Sequence, residues 1–131
     1  MLYLWVAIGG ALGSVARFAC SNFAARHLDH GFPWGTMIIN LAGSFAIGAF
    51  AATTTSGGKW IMPVSFSHFF MVGVCGGYTT FSAFSLQTLT LMEKGDWGRA
   101  LANATGSVAG CIAAVWLGHT LGSYLNSTKE P

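Results

Sequence analysis

The chain has 131 residues, of which 53% are hydrophobic and only 8% charged, and its net charge is +2. Soluble domains usually carry about 25% charged residues, so this balance excludes a water-soluble fold. So small and scattered a positive excess also excludes nucleic acid as a partner.

Four apolar segments, at about 2–25, 35–54, 63–92 and 100–125, each reach the ~20 helical residues that cross a hydrocarbon layer. They predict an all-α membrane protein: one four-helix transmembrane domain. The first segment is too long for a signal-peptide core, lacks a basic start and contains Arg17, so it reads as a retained helix. Its Gly9-Gly10-Ala11-Leu12-Gly13 run follows no strand and is not a nucleotide loop. Gly9 and Gly13 instead share a helix face, as small residues do where helix backbones approach in lipid. Arg17 lies about 6 Å along the helix from mid-segment. It either snorkels to an interface or draws anions into a vestibule.

The following loop holds His27 and His30, a spacing compatible with metal, but no third ligand completes a site. Pro33, Trp34 and Gly35 open the second segment, and Asn40 sits near its middle. A mid-span amide wants more partners than one helix supplies, which makes Asn40 a functional candidate. Trp5, Trp34, Trp60, Trp97 and Trp116 fall towards segment ends, as in an interfacial aromatic belt. Gly57 and Gly58 predict a turn before Lys59.

Segment three is anomalous. Its 30 residues from Pro63 to Met92 would span ~45 Å as one straight helix, against a ~30 Å hydrocarbon core. The run Gly76-Gly77-Tyr78-Thr79-Thr80 predicts a break near its middle. A membrane backbone that leaves helical geometry must satisfy its freed polar groups in protein or along a water-filled path, and such breaks mark ion or solute sites. Beyond the break, Phe81 and Phe84 share a helix face. That pattern serves packing, or it aims positive ring edges at an anion. The fourth segment carries Gly106 and Gly110, then Gly118 and Gly122, at packing spacing.

Cys20, Cys75 and Cys111 are odd in number and far apart, so they predict neither a disulfide framework nor zinc and read as small packing residues. Asp29, Glu93, Asp96 and Glu130 all fall in loops or the tail, so no carboxylate orients His68 or His119 and no catalytic set forms. A non-enzyme is expected. The same absence weakens a proton-coupled exporter, which needs an intramembrane relay. The segments instead hold neutral donors: Asn40, Ser44, Thr79, Thr80, Ser82, Ser85, Asn103, Thr105 and Ser107. Lys59 and Lys129 fall on one side of the membrane, and Arg26, Lys94 and Arg99 on the other. A fixed orientation normally needs a clear Lys/Arg bias, so dual insertion and an antiparallel homodimer are compatible with this chain.

Taken in order, three blocks resemble the Fluc (CrcB-type) fluoride channels of bacteria. They are Gly9–Gly13 with Arg17-Phe18; Trp34-Gly35-Thr36 with Asn40-Leu41-Ala42-Gly43 and Gly48; and Gly73 through Ser85. The resemblance implies a dual-topology antiparallel homodimer in the inner (plasma) membrane that exports cytoplasmic fluoride passively through two pores. It places Asn40, Phe81, Phe84, Ser107, Thr80, Ser82 and Arg17 on the fluoride pathway. It implies a structural sodium ion held by the Gly76 and Thr79 backbone carbonyls of both subunits. Where the family commonly has a tyrosine and two serines in the fourth span, this chain has Asn103, Ser107 and Cys111. Gln87 and Ala83 stand where some members have glutamate and threonine. The alternatives are a small proton-coupled exporter and a non-transporting membrane subunit built on the glycine faces.

Overall fold

The computed structural model describes residues 1–28, 30–54 and 62–127. The expected turn at Gly57 and Gly58, the loop residues Asp29, Lys59 and Trp60, and the tail residues Lys129 and Glu130 lie outside them. Helix α1 spans Leu2–His27 and α2 spans Trp34–Thr53. The third span, Val64–Glu93, is divided into α3 (residues 64–78) and α4 (Phe81–Glu93), and α5 spans Trp97–Asn126. All four spans are long and apolar enough to cross a membrane, and between 11% and 22% of each span's most apolar stretch is buried within the chain. Most of the apolar surface therefore faces outward, as a lipid-embedded protein requires.

Local chemistry sets the helix ends. Arg26 and His27 close α1, where positive charge suits the negative end of the helix dipole. Between α4 and α5, Gly95 takes a φ of 76°, a left-handed conformation that glycine adopts without Cβ strain. Asp96 then caps α5 by accepting from Arg99 N at 3.2 Å, and its carboxylate pairs with Arg99 Nη1 at 3.5 Å.

Glycine faces hold the helices together. Gly9 and Gly13 of α1 pack against Gly73 and Gly77 of α3, backbone to backbone. A Cβ on Gly73 would lie 2.8 Å from Gly9 Cα, and one on Gly77 would lie 2.6 Å from the Gly10 carbonyl. Gly118 and Gly122 of α5 meet the backbone of Phe45 and Ala49 on α2 in the same way, and Gly48 of α2 meets Val115. The other expected pair differs: Gly106 and Gly110 face only the side chains of Met37 and Leu41. Asn126 fastens the end of α5 to α2 by donating to the Ala52 carbonyl at 3.1 Å.

The break falls at the C-terminal edge of the predicted stretch. Gly76 is still helical (φ −65°, ψ −38°), whereas Thr79 (φ −79°, ψ 159°) and Thr80 (φ −151°, ψ 111°) are extended. The two glycines are therefore not the interruption; Gly77 is a contact surface for α1. Upstream, His68–Cys75 forms a widened π-helical stretch, a form that commonly accompanies functional sites.

Candidate functional site: a polar groove at the broken third span

A helix that stops inside the membrane strands the amide and carbonyl groups of its last and first turns. Asn40 of α2 resolves the centre of this problem. Its Nδ2 donates to the Thr80 carbonyl at 3.0 Å, and its Oδ1 accepts from the Thr80 amide at 2.8 Å. One side chain thus substitutes for both backbone partners that Thr80 loses. Thr80 in turn caps α4, its Oγ1 accepting from Ala83 N at 3.2 Å. Gly43, three residues after Asn40, leaves room for the Thr79 side chain, which touches the position its Cβ would take.

Around this joint lies a cavity of about 430 Å³. Asn40, Ser44, Thr79, Thr80, Phe81, Phe84 and Ser107 line it together with Gly76, Met71, Cys75 and Cys111. Five of the seven predicted pathway residues and both predicted carbonyl residues thus converge on one groove. Two do not line it. Ser82 shares a hydrogen bond with Thr80 Oγ1 at 3.2 Å. Arg17 sits at the break, its Nη1 donating to the Thr79 carbonyl at 3.5 Å. Among the described residues no acidic side chain lines the groove.

The two phenylalanines lie at the start of α4, with ring centroids 5.2 Å apart and planes tilted by 46°. Phe81 is 75% exposed on the single chain and Phe84 is half-buried. Ser85 and Thr105, two other candidate donors, use their hydroxyls on the Phe81 and Leu101 carbonyls and do not line the groove.

Sequence reasoning missed a buried polar ladder beside the groove. Ser107 Oγ donates to Asn103 Oδ1 at 3.3 Å, Asn103 Nδ2 donates to Thr88 Oγ1 at 2.8 Å, and Thr88 Oγ1 donates to the Phe84 carbonyl at 2.7 Å. Asn103 is 1% exposed, so this amide joins α4 to α5 and does not reach into the groove. The available signal was the one-turn spacing of Phe84 with Thr88 and of Asn103 with Ser107.

Two backbone carbonyls at the break, those of Gly76 and Thr79, keep acceptor capacity. In an unbroken helix the Gly76 carbonyl would accept from the Thr80 amide, but that amide is held by Asn40. Gly76 is exposed on the surface of the chain, so its carbonyl has no side chain of its own to shield it. Thr79's carbonyl keeps a second lone pair beyond its long contact with Arg17.

Four apolar spans, an interrupted third helix and a neutral, donor-lined groove define a small multi-pass membrane protein. The profile described as CrcB-like protein, Camphor Resistance (CrcB), matches residues 4–119. Among similar proteins is the fluoride-specific ion channel FluC of Opitutus terrae, 55% identical over 98% of this chain and 97% of its own. The FluC of Rhodospirillum rubrum is 55% identical over 91% of this chain and 92% of its own, and that of Methylocella silvestris is 49% identical over 98% of each. The chain belongs to the CrcB-like family.

Proposed function

We propose that the protein is a fluoride channel of a bacterial plasma membrane, passing the ion down its gradient. One observation carries the mechanism: neutral donors and phenylalanine edges share a groove that no carboxylate among the described residues lines. Fluoride is small and strongly hydrated, so entry requires replacement of its water, and release requires that no full positive charge trap it. Asn40 has one Nδ2 hydrogen left after bonding Thr80, and Thr80 and Ser44 add hydroxyls. The positive ring edges of Phe81 and Phe84 add weak, reversible contacts. Hydrogen fluoride enters acidified cells and dissociates inside, so passive efflux of the anion lowers its internal concentration.

The groove is open on one side, and both Gly76 and Phe81 are exposed on the single chain. A second copy placed antiparallel would close it and bring two Gly76 carbonyls together, which supports two pores and a central sodium ion. When bound, that ion would pull the two breaks together by neutral oxygen ligation. Arg17 next to the Thr79 carbonyl opposes a cation there, so Gly76 is the stronger ligand of the two.

Fluoride efflux from liposomes holding the purified protein, read with a fluoride electrode, tests the function. Efflux without a proton gradient and without chloride release is expected; dependence on a pH gradient would instead support the exporter, and no efflux the non-transporting subunit. Replacing sodium by a large organic cation is expected to slow efflux, and an unchanged rate would remove the ion from the mechanism. Labelling of a terminal cysteine from both faces of the membrane tests the antiparallel arrangement, and labelling from one face would refute it.

A further inference from the structure

The groove also holds a chemistry that anion passage does not use. Met71, Cys75 and Cys111 all line it, so three sulfur-bearing side chains share one cavity of about 430 Å³. Met71 and Cys75 are four residues apart in the widened stretch His68–Cys75, which sets them on one face of α3. Cys111 comes from α5, one turn beyond Ser107. Both cysteines are free, Cys75 buried and Cys111 half-buried. Neither thiol takes part in a hydrogen bond among the described residues, whereas the remaining cysteine, Cys20, accepts from Tyr78 at 3.5 Å.

We propose that Met71, Cys75 and Cys111 form a binding site for one soft monovalent cation, of the silver(I) or copper(I) class, and that its occupancy obstructs the groove. Thiolate and thioether sulfur select such ions over hard ones, while the carbonyl oxygens of the break select the reverse. Binding replaces one proton: Cys–SH + Ag⁺ gives Cys–S–Ag + H⁺, with the proton released to water. The second thiol and the thioether complete the coordination as neutral donors. The product carries no net charge, which suits an apolar wall better than a free cation or a bare thiolate would. The blocking half of the inference rests on the fluoride reading; the binding half does not.

The test uses silver nitrate in chloride-free buffer on the full chain, with Cys20→Ser in every sample because Cys20 is exposed. Silver retained after gel filtration against excess free histidine is measured by elemental analysis. About one silver per chain is expected, falling at least tenfold in Cys75→Ser/Cys111→Ser. Met71→Leu, which conserves volume, is expected to retain silver more weakly than its parent. Fluoride efflux from liposomes is then followed with and without silver, each variant scored against its own silver-free rate so that a slow variant still reports. Block of the parent and escape of the double variant are expected. No retention, or equal retention by the double variant, overturns the site whatever the fluxes show. Retention with efflux unaffected overturns the obstruction.

Discussion

Replacing Asn40 separates the two tasks its amide performs. Asn40→Ala removes the hydrogen bonds of 3.0 and 2.8 Å and leaves the amide and carbonyl of Thr80 without partners. Hydrogen bonds between membrane helices contribute about 1–2 kcal/mol in model peptides and less in mutant cycles, where other partners are found. Thr80, 9% exposed and at the centre of the break, has no such substitute, so the loss should be about 2–4 kcal/mol. Asn40→Asp keeps the acceptor for the Thr80 amide but replaces the donor by a second oxygen facing the Thr80 carbonyl. It therefore costs at least the lost bond, about 1–2 kcal/mol. Its charge acts differently: at about 5 Å from a passing anion and an effective dielectric of 20, repulsion is about 3 kcal/mol, or roughly two orders of magnitude in rate. Thermal unfolding in detergent and liposome efflux at neutral pH measure the two quantities. The aspartate variant should be folded but nearly silent, and the alanine variant unstable. Lowering the pH should partly restore the aspartate variant, because a protonated carboxyl is neutral and can donate to the Thr80 carbonyl. Wild-type efflux from a folded Asn40→Asp protein at neutral pH would refute this reasoning.

Phe81→Ile and Phe84→Ile should each cut efflux at least tenfold with stability within about 1.5 kcal/mol, since volume is roughly conserved but the ring edges are lost; wild-type flux in both removes the rings from the pathway. Gly9→Ala should cost about 1–3 kcal/mol, because the new methyl meets the Phe69 carbonyl and backbone atoms of Gly73 and Val74, whereas Gly10→Ala meets nothing within 4 Å and should be tolerated. Equal melting temperatures for the two would contradict the α1–α3 contact. Asn103→Leu should lower stability by about 1–2 kcal/mol through the broken ladder yet maintain or raise efflux, because Ser107 regains a free hydroxyl. A loss of efflux in a folded Asn103→Leu protein would place that amide on the anion path.

The four spans, the glycine faces on α1 and at Gly118 and Gly122, and the interruption of the third span were legible in the sequence. They follow from chain-local physics: the length of apolar runs, one-turn spacing, and a segment too long and too polar for a single crossing. The polar candidates were legible for a similar reason, since neutral amides and hydroxyls in hydrocarbon are costly unless they serve something. That reason also picked out Ser82, Ser85, Asn103 and Thr105, which do not line the groove. The roles of Phe81, Phe84 and Gly76 were assigned only through the family resemblance. Tertiary structure alone decided what each polar group does. Asn40 and Thr80 are 40 positions apart, so only the folded chain shows that the amide is spent on the break. Arg17 at the Thr79 carbonyl, Gly77 as a surface for α1 and Asn103 inside a closed ladder were illegible because each role depends on a partner from a distant segment. Composition determines that this chain belongs in a membrane. Which donors remain free for an ion is settled only after the backbone has claimed its own.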